Sequence, residues 1–333
     1  MKAALRRMKW TVAVLALVAA GSADRAAAAG SAGTASGVEI LVGGSARSLA
    51  MGGAGLADLR EPGAIWASPA QLARMAASEM AFVHGMYVGG VSLEELAVGG
   101  PTPLGAFGGG MKLVRMGDIN SYDSAGLPAG TVSPGQQAFS LGWAWPGGSW
   151  AAGVSGTYMR SQLAGDAKAD AWAGDAGVNV VLTPGFSIAA AAQHLGTGLD
   201  YGGKRASLPM TVRGGASYAV ADLGLLVAVD GVKPSDADLS VRAGAEKSLA
   251  LRSDVTAAVR AGWCGGAPQG SLTGFSAGAE LFWHPAGGFV ESTAARFETE
   301  TKSYWVSGIR VSYAWTPMGE LGNAHWFSVA LVF

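Results

Sequence analysis

Cysteine is almost missing from this chain: 333 residues contain one, Cys264. A lone thiol makes no internal disulfide and cannot build a Cys-based zinc site, so it reads as a small packed residue. Charge is scarce as well. Charged residues are 14%, against about 25% in ordinary soluble domains. Lys and Arg number 23 against 24 Asp and Glu, so there is no basic excess for a nucleic-acid partner. With 50% hydrophobic residues the chain does not have the composition of a disordered one. The four histidines (His84, His194, His284, His325) are scattered without metal-ligand spacing. No metal and no cofactor is expected. Beyond the first thirty residues no apolar run reaches 18 residues, so no transmembrane helix is expected.

What the chain has in quantity is glycine, 52 residues or about one in six, and 11 tryptophans. The glycines do not fall at every third position, which excludes collagen. Their number argues against long helices, since each interior Gly costs about 1 kcal/mol relative to Ala.

Residues 1–29 read as a secretory signal peptide. Lys2, Arg6, Arg7 and Lys9 precede the apolar run Trp10 to Ala20, and Ala26 to Ala29 offers a small-residue cleavage site. Its removal takes five cations and one anion, which leaves 18 positive and 23 negative residues and a mature charge of -5. An exported, apolar, weakly charged chain without a membrane helix leaves the closed β-barrel, which satisfies every backbone group between strands.

Period-2 alternation supports that reading. From Trp150 to Gln162 one face carries Trp150, Ala152, Val154, Gly156 and Tyr158, and the other Ala151, Gly153, Ser155, Thr157, Met159 and Ser161. The two aromatics are separated by roughly 20 Å along the membrane normal for a tilted strand, close to the ~25 Å apolar band between aromatic girdles. Similar segments cover 208–220, 251–263 and 304–315. Others begin near Glu79, Ser92, Ala106, Gln137, Lys168, Phe186, Leu223, Asp238, Phe275 and Gly288, and the last runs from His325 to Phe333. That makes 15 candidates, whereas single-chain bacterial barrels have even numbers; the expectation is 14 strands, with 16 next. The expected fold is an all-β transmembrane antiparallel barrel over 76–333, with an N-terminal hatch over 30–75.

Both ends carry motifs. Arg47, Met51, Gly52 and Gly53 stand in the stretch Gly43 to Gly55, and Ser68-Pro69-Ala70 follows. At the far end Phe327, Val329, Leu331 and the terminal Phe333 alternate, after the stretch Ser312 to His325. Together they resemble the PorV/PorQ family of outer-membrane barrels, relatives of the FadL fatty-acid transporters. That family's opening is roughly G-x-R-x-x-x-M-G-G-A followed by N-P-A-x-L, and Ser68 replaces its Asn. The resemblance implies an outer-membrane location in a Gram-negative-type bacterium and an N-terminal hatch folded into the barrel. The alternation of the last strand also resembles, by itself, the C-terminal signature by which outer-membrane barrels are handed to the barrel assembly machinery. Two functions follow from the family resemblance. The first is non-enzymatic service in protein export, with secreted proteins or a translocon as partners and the outer loops 116–136, 196–207 and 264–274 as working parts. The second is FadL-like uptake of a hydrophobic small-molecule ligand through a hatch-gated lumen. Lipid surrounds the barrel in either case.

In the C-terminal half the inward-facing candidates are Arg213, Asp230, Arg242, Glu246, Arg252, Asp254, Arg260, Glu280 and Arg310. Every cation among them is Arg, whose planar fork pairs with carboxylates better than Lys. Most of the lysines are expected near segment ends, in reach of water. The candidates read as an ion-pair lattice or as a polar constriction. Gly274-Phe275-Ser276-Ala277-Gly278 matches a nucleophile elbow literally, but it sits in strand sequence without the strand–turn–helix setting; no catalytic residue is expected.

Overall fold

The computed structural model describes residues 36–37, 44–163, 167–203, 205–265, 274–284 and 308–333. The expected leader at 1–29 and the expected strand near Gly288 lie outside these residues. The strands are β1 (Glu79–Met86), β2 (Ser92–Thr102), β3 (Gly105–Arg115), β4 (Ile119–Tyr122), β5 (Pro128–Val132), β6 (Gly135–Gly147), β7 (Trp150–Gln162), β8 (Lys168–Thr183) and β9 (Phe186–Gly196). They continue with β10 (Leu199–Asp200), β11 (Arg205–Ala206), β12 (Thr211–Val220), β13 (Leu225–Pro234), β14 (Ser240–Arg252), β15 (Val255–Cys264), β16 (Phe275–Trp283), β17 (Gly308–Pro317) and β18 (Asn323–Val332).

Fourteen of them close into one antiparallel barrel in the order β1-β18-β17-β16-β15-β14-β13-β12-β9-β8-β7-β6-β3-β2. The pairs β4–β5 and β10–β11 form separate hairpins within two of the loops proposed as working parts. Most of the third, 264–274, lies outside the described residues. β16 pairs directly with β17, from Ala277↔Trp315 to Trp283↔Ile309, so closure needs no further strand between them. The links alternate: 103–104, 148–149, 184–185, 221–224 and 253–254 at one end, longer ones at the other. The link 284–307 falls at the short-link end. Its length is what disturbs the long–short rhythm in the sequence.

The period of two sorts residues between two environments. Along β7 the inward Ala151, Gly153, Ser155, Thr157, Met159 and Ser161 are all buried, while Trp150 and Val154 are exposed. Around the ring Val154, Val178, Val212, Val259, Leu281 and Val311 are each about half exposed. In water such a belt is a liability; against lipid it is the required surface. Aromatic pairs frame it: Tyr158 and Trp172 at 5.0 Å between ring centroids, Phe186 and Tyr218 at 6.3 Å, Tyr313 and Phe327 at 5.1 Å. Phe327, Val329 and Phe333 lie exposed on this outer face, with Leu331 in the same alternation. Among the described residues no helix is long and apolar enough to cross a membrane.

Residues 44–75 run inside the ring. They form helix α1 (Ala46–Ala50) and three 3₁₀ turns, Leu56–Asp58, Pro62–Trp66 and Pro69–Arg74. The Ser45 hydroxyl accepts the Ser48 N–H and caps α1. Pro62 and Pro69 open their turns at positions whose N–H has no partner to lose. Ala46, Ala50, Leu56, Ile65 and Leu72 are fully buried. The wall makes room by withholding side chains. A Cβ at Gly153 would stand 2.6 Å from the Ala70 nitrogen, one at Gly244 2.6 Å from Met51 Cβ, and one at Gly108 3.0 Å from Leu72. The segment spans the bore. Gly44 N–H donates to Glu95 Oε1 towards the long-link end (2.9 Å), and Met75 leads to β1 at the short-link end.

A charge on the outer face tests this assignment. Val154→Arg is expected to lower stability by about 2–4 kcal/mol, the cost of a cation near the bilayer midplane. Asn120→Arg on the exposed β4–β5 hairpin should change little. Denaturant unfolding from lipid vesicles reads both.

Candidate functional site: an ionic lattice inside the barrel

The inward charges meet the lumenal segment in one connected line. Arg60 Nε is 3.1 Å from Asp58 Oδ1, and Asp58 Oδ2 is 2.8 Å from Arg47 Nη2. Arg47 Nε reaches Glu246 Oε2 at 2.7 Å, and Arg260 Nε reaches the same oxygen at 2.7 Å. Arg260 Nη2 lies 2.8 Å from Glu280 Oε2, and Glu280 Oε1 lies 3.6 Å from Arg310 Nε. Arg310 Nη1 donates to both Glu79 oxygens, at 2.9 and 3.1 Å. Four arginines and four carboxylates thus alternate from the lumenal segment across β14, β15, β16 and β17 to β1.

Local structure explains the placement. One turn of α1 presents Arg47 to β14, and Gly55, in the left-handed region at φ 107°, turns the chain so that Leu56–Asp58 brings Asp58 back beside it. Arg47 Nη1 also donates to the Asp58 carbonyl at 2.9 Å, which ties the two turns together. Glu246 and Arg260 are cross-strand partners in the register of β14 and β15, so their approach follows from the ladder itself. The ions are largely buried, with side-chain exposures between 1% and 17%. Such pairs are tolerated because each has partners, and removal of one member leaves an uncompensated buried charge.

A second group holds the Gly-Gly corner. Arg213 Nη2 stands 2.6 Å from Asp230 Oδ2 and also donates to the Gly53 carbonyl. Asp230 Oδ2 accepts the Leu56 N–H at 3.0 Å. Gly52 and Gly53 have φ of 69° and 77°. A Cβ at Gly52 would meet the Trp263 backbone at 2.6 Å, and one at Gly53 would meet Arg242 Nη1 at 2.8 Å. Both backbone shape and space therefore call for glycine. Met51 packs beside them in a buried cluster with Leu226.

Towards the long-link end Trp66 donates from Nε1 to Ser140 Oγ (2.8 Å), and its carbonyl accepts from Gln193 Nε2 (2.7 Å). Lys112 Nζ lies 4.6 Å from the Trp66 ring and 3.0 Å from Glu95 Oε1. At the short-link end Ser68 lies against Gly177, Pro69 and Ala70 against Gly153, and Arg74 donates to Asn179 Oδ1 at 2.9 Å.

Two expected members stand elsewhere. Arg252 and Asp254 pair with each other at 3.2 Å in and beside the β14–β15 turn, with the Arg252 side chain largely exposed. A register shift between Ala250 and Arg252, and a turn at 253–254, break the alternation that had joined 251–263 into one strand. Lys112, in the N-terminal half, is an inner cation as well. Its direct cross-strand position opposite Glu95 was the available signal. Asp58, Arg60 and Glu61 had none, since the lumenal segment has no strand period. Ser276 of the elbow-like motif accepts the Gly52 N–H at 2.9 Å and donates to the Ala50 carbonyl at 3.0 Å; it fastens the segment. Among the described residues no group of His, Cys, Asp and Glu is arranged to hold a metal ion.

No protein-family model matches the chain, and no curated protein does. Solved structures do match. The toluene transporter TodX of Pseudomonas putida has a TM-score of 0.54 at 11% identity, over 87% of this chain and 96% of its own. The toluene transporter TbuX of Ralstonia pickettii gives 0.51 at 14%, over 87% and 97%. A FadL homologue of Pseudomonas aeruginosa gives 0.50 at 10%, over 87% and 98%. At these identities the likeness is one of fold: a closed β-barrel of the kind these three proteins form.

The lattice is tested at its two-sided member. Glu246→Gln leaves Arg47 and Arg260 short of a buried partner and should weaken docking of residues 44–75 by about 3–5 kcal/mol. Faster proteolysis within 44–75, while the unboiled barrel still migrates apart from the boiled chain on a gel, is the expected result.

Proposed function

We propose that the chain is a non-enzymatic channel of the outer membrane that takes up small hydrophobic molecules, with residues 30–75 as a hatch in its bore. The observation that carries this reading is the filled lumen. A segment continuous with β1 blocks a FadL-type barrel and is held by ion pairs, hydrogen bonds and close packing. All of these are reversible. Ions in a closed bore resist water entry only while paired, so displacement of the segment exposes a polar path bordered by Ala and Gly. The structural neighbours named as toluene transporters support this cargo class. The hatch motifs Arg47, Met51, Gly52, Gly53, Ser68, Pro69 and Ala70 then act as fastenings, and the lattice sets how firmly the hatch is seated.

Of the two expectations, uptake is better supported than export. The PorV/PorQ resemblance rests on the two end motifs, and an export role with secreted partners or a translocon rests on that resemblance. The signal peptide at 1–29 and recognition of Phe327, Val329, Leu331 and Phe333 by the assembly machinery belong to this reading as the route to the membrane.

A reversible lock tests it. A Cβ built at Gly177 stands 3.3 Å from Ser68 Cβ, near disulfide spacing. The pair Ser68→Cys with Gly177→Cys, in a Cys264→Ser background, should close under oxidation. Cells that depend on this barrel are expected to lose uptake of radiolabelled toluene when oxidised and to regain it with reductant. Equal uptake in both states, with the disulfide verified by mass spectrometry, would remove the movable hatch from the account.

A further inference from the structure

Among the described residues the alternating line of ion pairs runs without Glu61. Four arginines match four carboxylates, and Glu95 has its own partner in Lys112. Glu61 follows directly on the Asp58–Arg60 corner, is about nine-tenths buried, and its Oε1 has no hydrogen-bond partner. It lines a small cavity between the lumenal segment and β1, β2, β17 and β18, together with Ser45, Glu79, Glu95 and Arg310. The space open to water centres is about 20 Å³, which is room for one water molecule.

The surrounding charges leave Glu61 as a surplus. From its own segment Arg47 faces it, and Arg47 is bound to Asp58 and Glu246. β1 contributes Glu79, β2 Glu95, β14 Glu246, β15 Arg260, β16 Glu280 and β17 Arg310, all within ion pairs. Lys112 of β3 is held by Glu95. β18 presents Ser328 and Ala330, without charge. Among the described residues no cation forms an ion pair with Glu61, so its ionised form would be a buried negative charge that Arg47 and Arg310, both engaged elsewhere, attract only from a distance. A group so placed takes up a proton rather than bear that cost.

We propose that Glu61 and its cavity form a proton-binding site that seats the lumenal segment, so that release of one proton to bulk water loosens it. This rests on the reading of the segment as displaceable, though not on any cargo. The balance is simple: the carboxyl becomes a carboxylate and a proton, and no other bond changes. Burial pushes the Glu61 carboxyl above the usual carboxylate range, against opposing pulls from Arg47, the Ser45 hydroxyl and Arg310. The sign follows. The seated state binds the proton more tightly than the released state. Seating is therefore strongest below the ordinary carboxylate value and is lost as pH rises through the raised one. One linked proton changes the ratio of seated to released segment by at most about tenfold per pH unit.

A nitroxide on Ala67→Cys, in a Cys264→Ser background, reports seating by its spectral mobility in full-length barrel reconstituted in vesicles. The immobile fraction is expected to fall as pH rises from 4 to 9. Glu61→Gln should stay immobile throughout, Glu61→Asp should keep a transition, and Glu79→Gln should keep it too. A flat wild-type profile, a transition that survives in Glu61→Gln, or its loss in Glu79→Gln would each overturn the proposal. If Glu61→Gln fails to assemble, a flat profile in Glu61→Asp overturns it instead. Toluene uptake separates the two ideas. A transition with no uptake at any pH defeats the transport reading alone, and uptake with a pH-independent hatch defeats this one alone.

Discussion

A strand exposed to hydrocarbon must give away every backbone hydrogen bond to a neighbour, and the last strand must give its own to the first. Everything else in this molecule follows from that closure, made here by β1 and β18 from Glu79↔Val332 to Met86↔His325. Closure fixes an inside and an outside, and the two-residue period assigns each side chain to one of them. The outside is apolar and tolerant. The inside is a confined space of fourteen strands, too wide for small wall side chains to fill, so a piece of the chain itself occupies it.

That filling explains two compositional extremes. Glycine is abundant because the wall must recede where the lumenal segment presses on it, at Gly108 under Leu72 and Gly153 under Pro69 and Ala70. Charge is scarce because little of the surface faces water. Much of what remains lies inside, where Arg47, Glu246, Arg260 and Glu280 neutralise one another in sequence. The lattice joins the segment to β14 and then crosses the wall to Glu79 on β1, next to the closing seam. Seat and seam thus share one set of ion pairs.

The barrel was legible because its signal repeats. Alternation at 150–162 reproduces the burial pattern of β7 residue by residue, and the inward positions of Glu246, Arg260, Glu280 and Arg310 follow from the same count. Legibility stops where the period does. Arg252 and Asp254 were misplaced because a bulge and a two-residue turn reset the phase. Lys112 was missed because the inward charges were counted over the C-terminal half, and its register opposite Glu95 lies in the N-terminal one. Asp58, Arg60 and Glu61 lie in short turns with no repeat to project from, so their contacts exist only in three dimensions.

The alternation of the lattice carries a consequence for how the sequence is free to drift. Glu246 serves Arg47 and Arg260 together, and Arg260 serves Glu246 and Glu280. Exchange of any one pair, acid for base, repairs that contact and sets like charges against each other at its borders. Among the described residues only inversion of the whole alternating line at once would restore every contact, and a chain that changes one codon at a time has no such step. The lipid face obeys no comparable grammar, since Val, Leu, Ile or Phe serve equally at Val154 or Val212. Substitutions should therefore accumulate on the outer surface of the cylinder, around a charge order inside it that stays as it is.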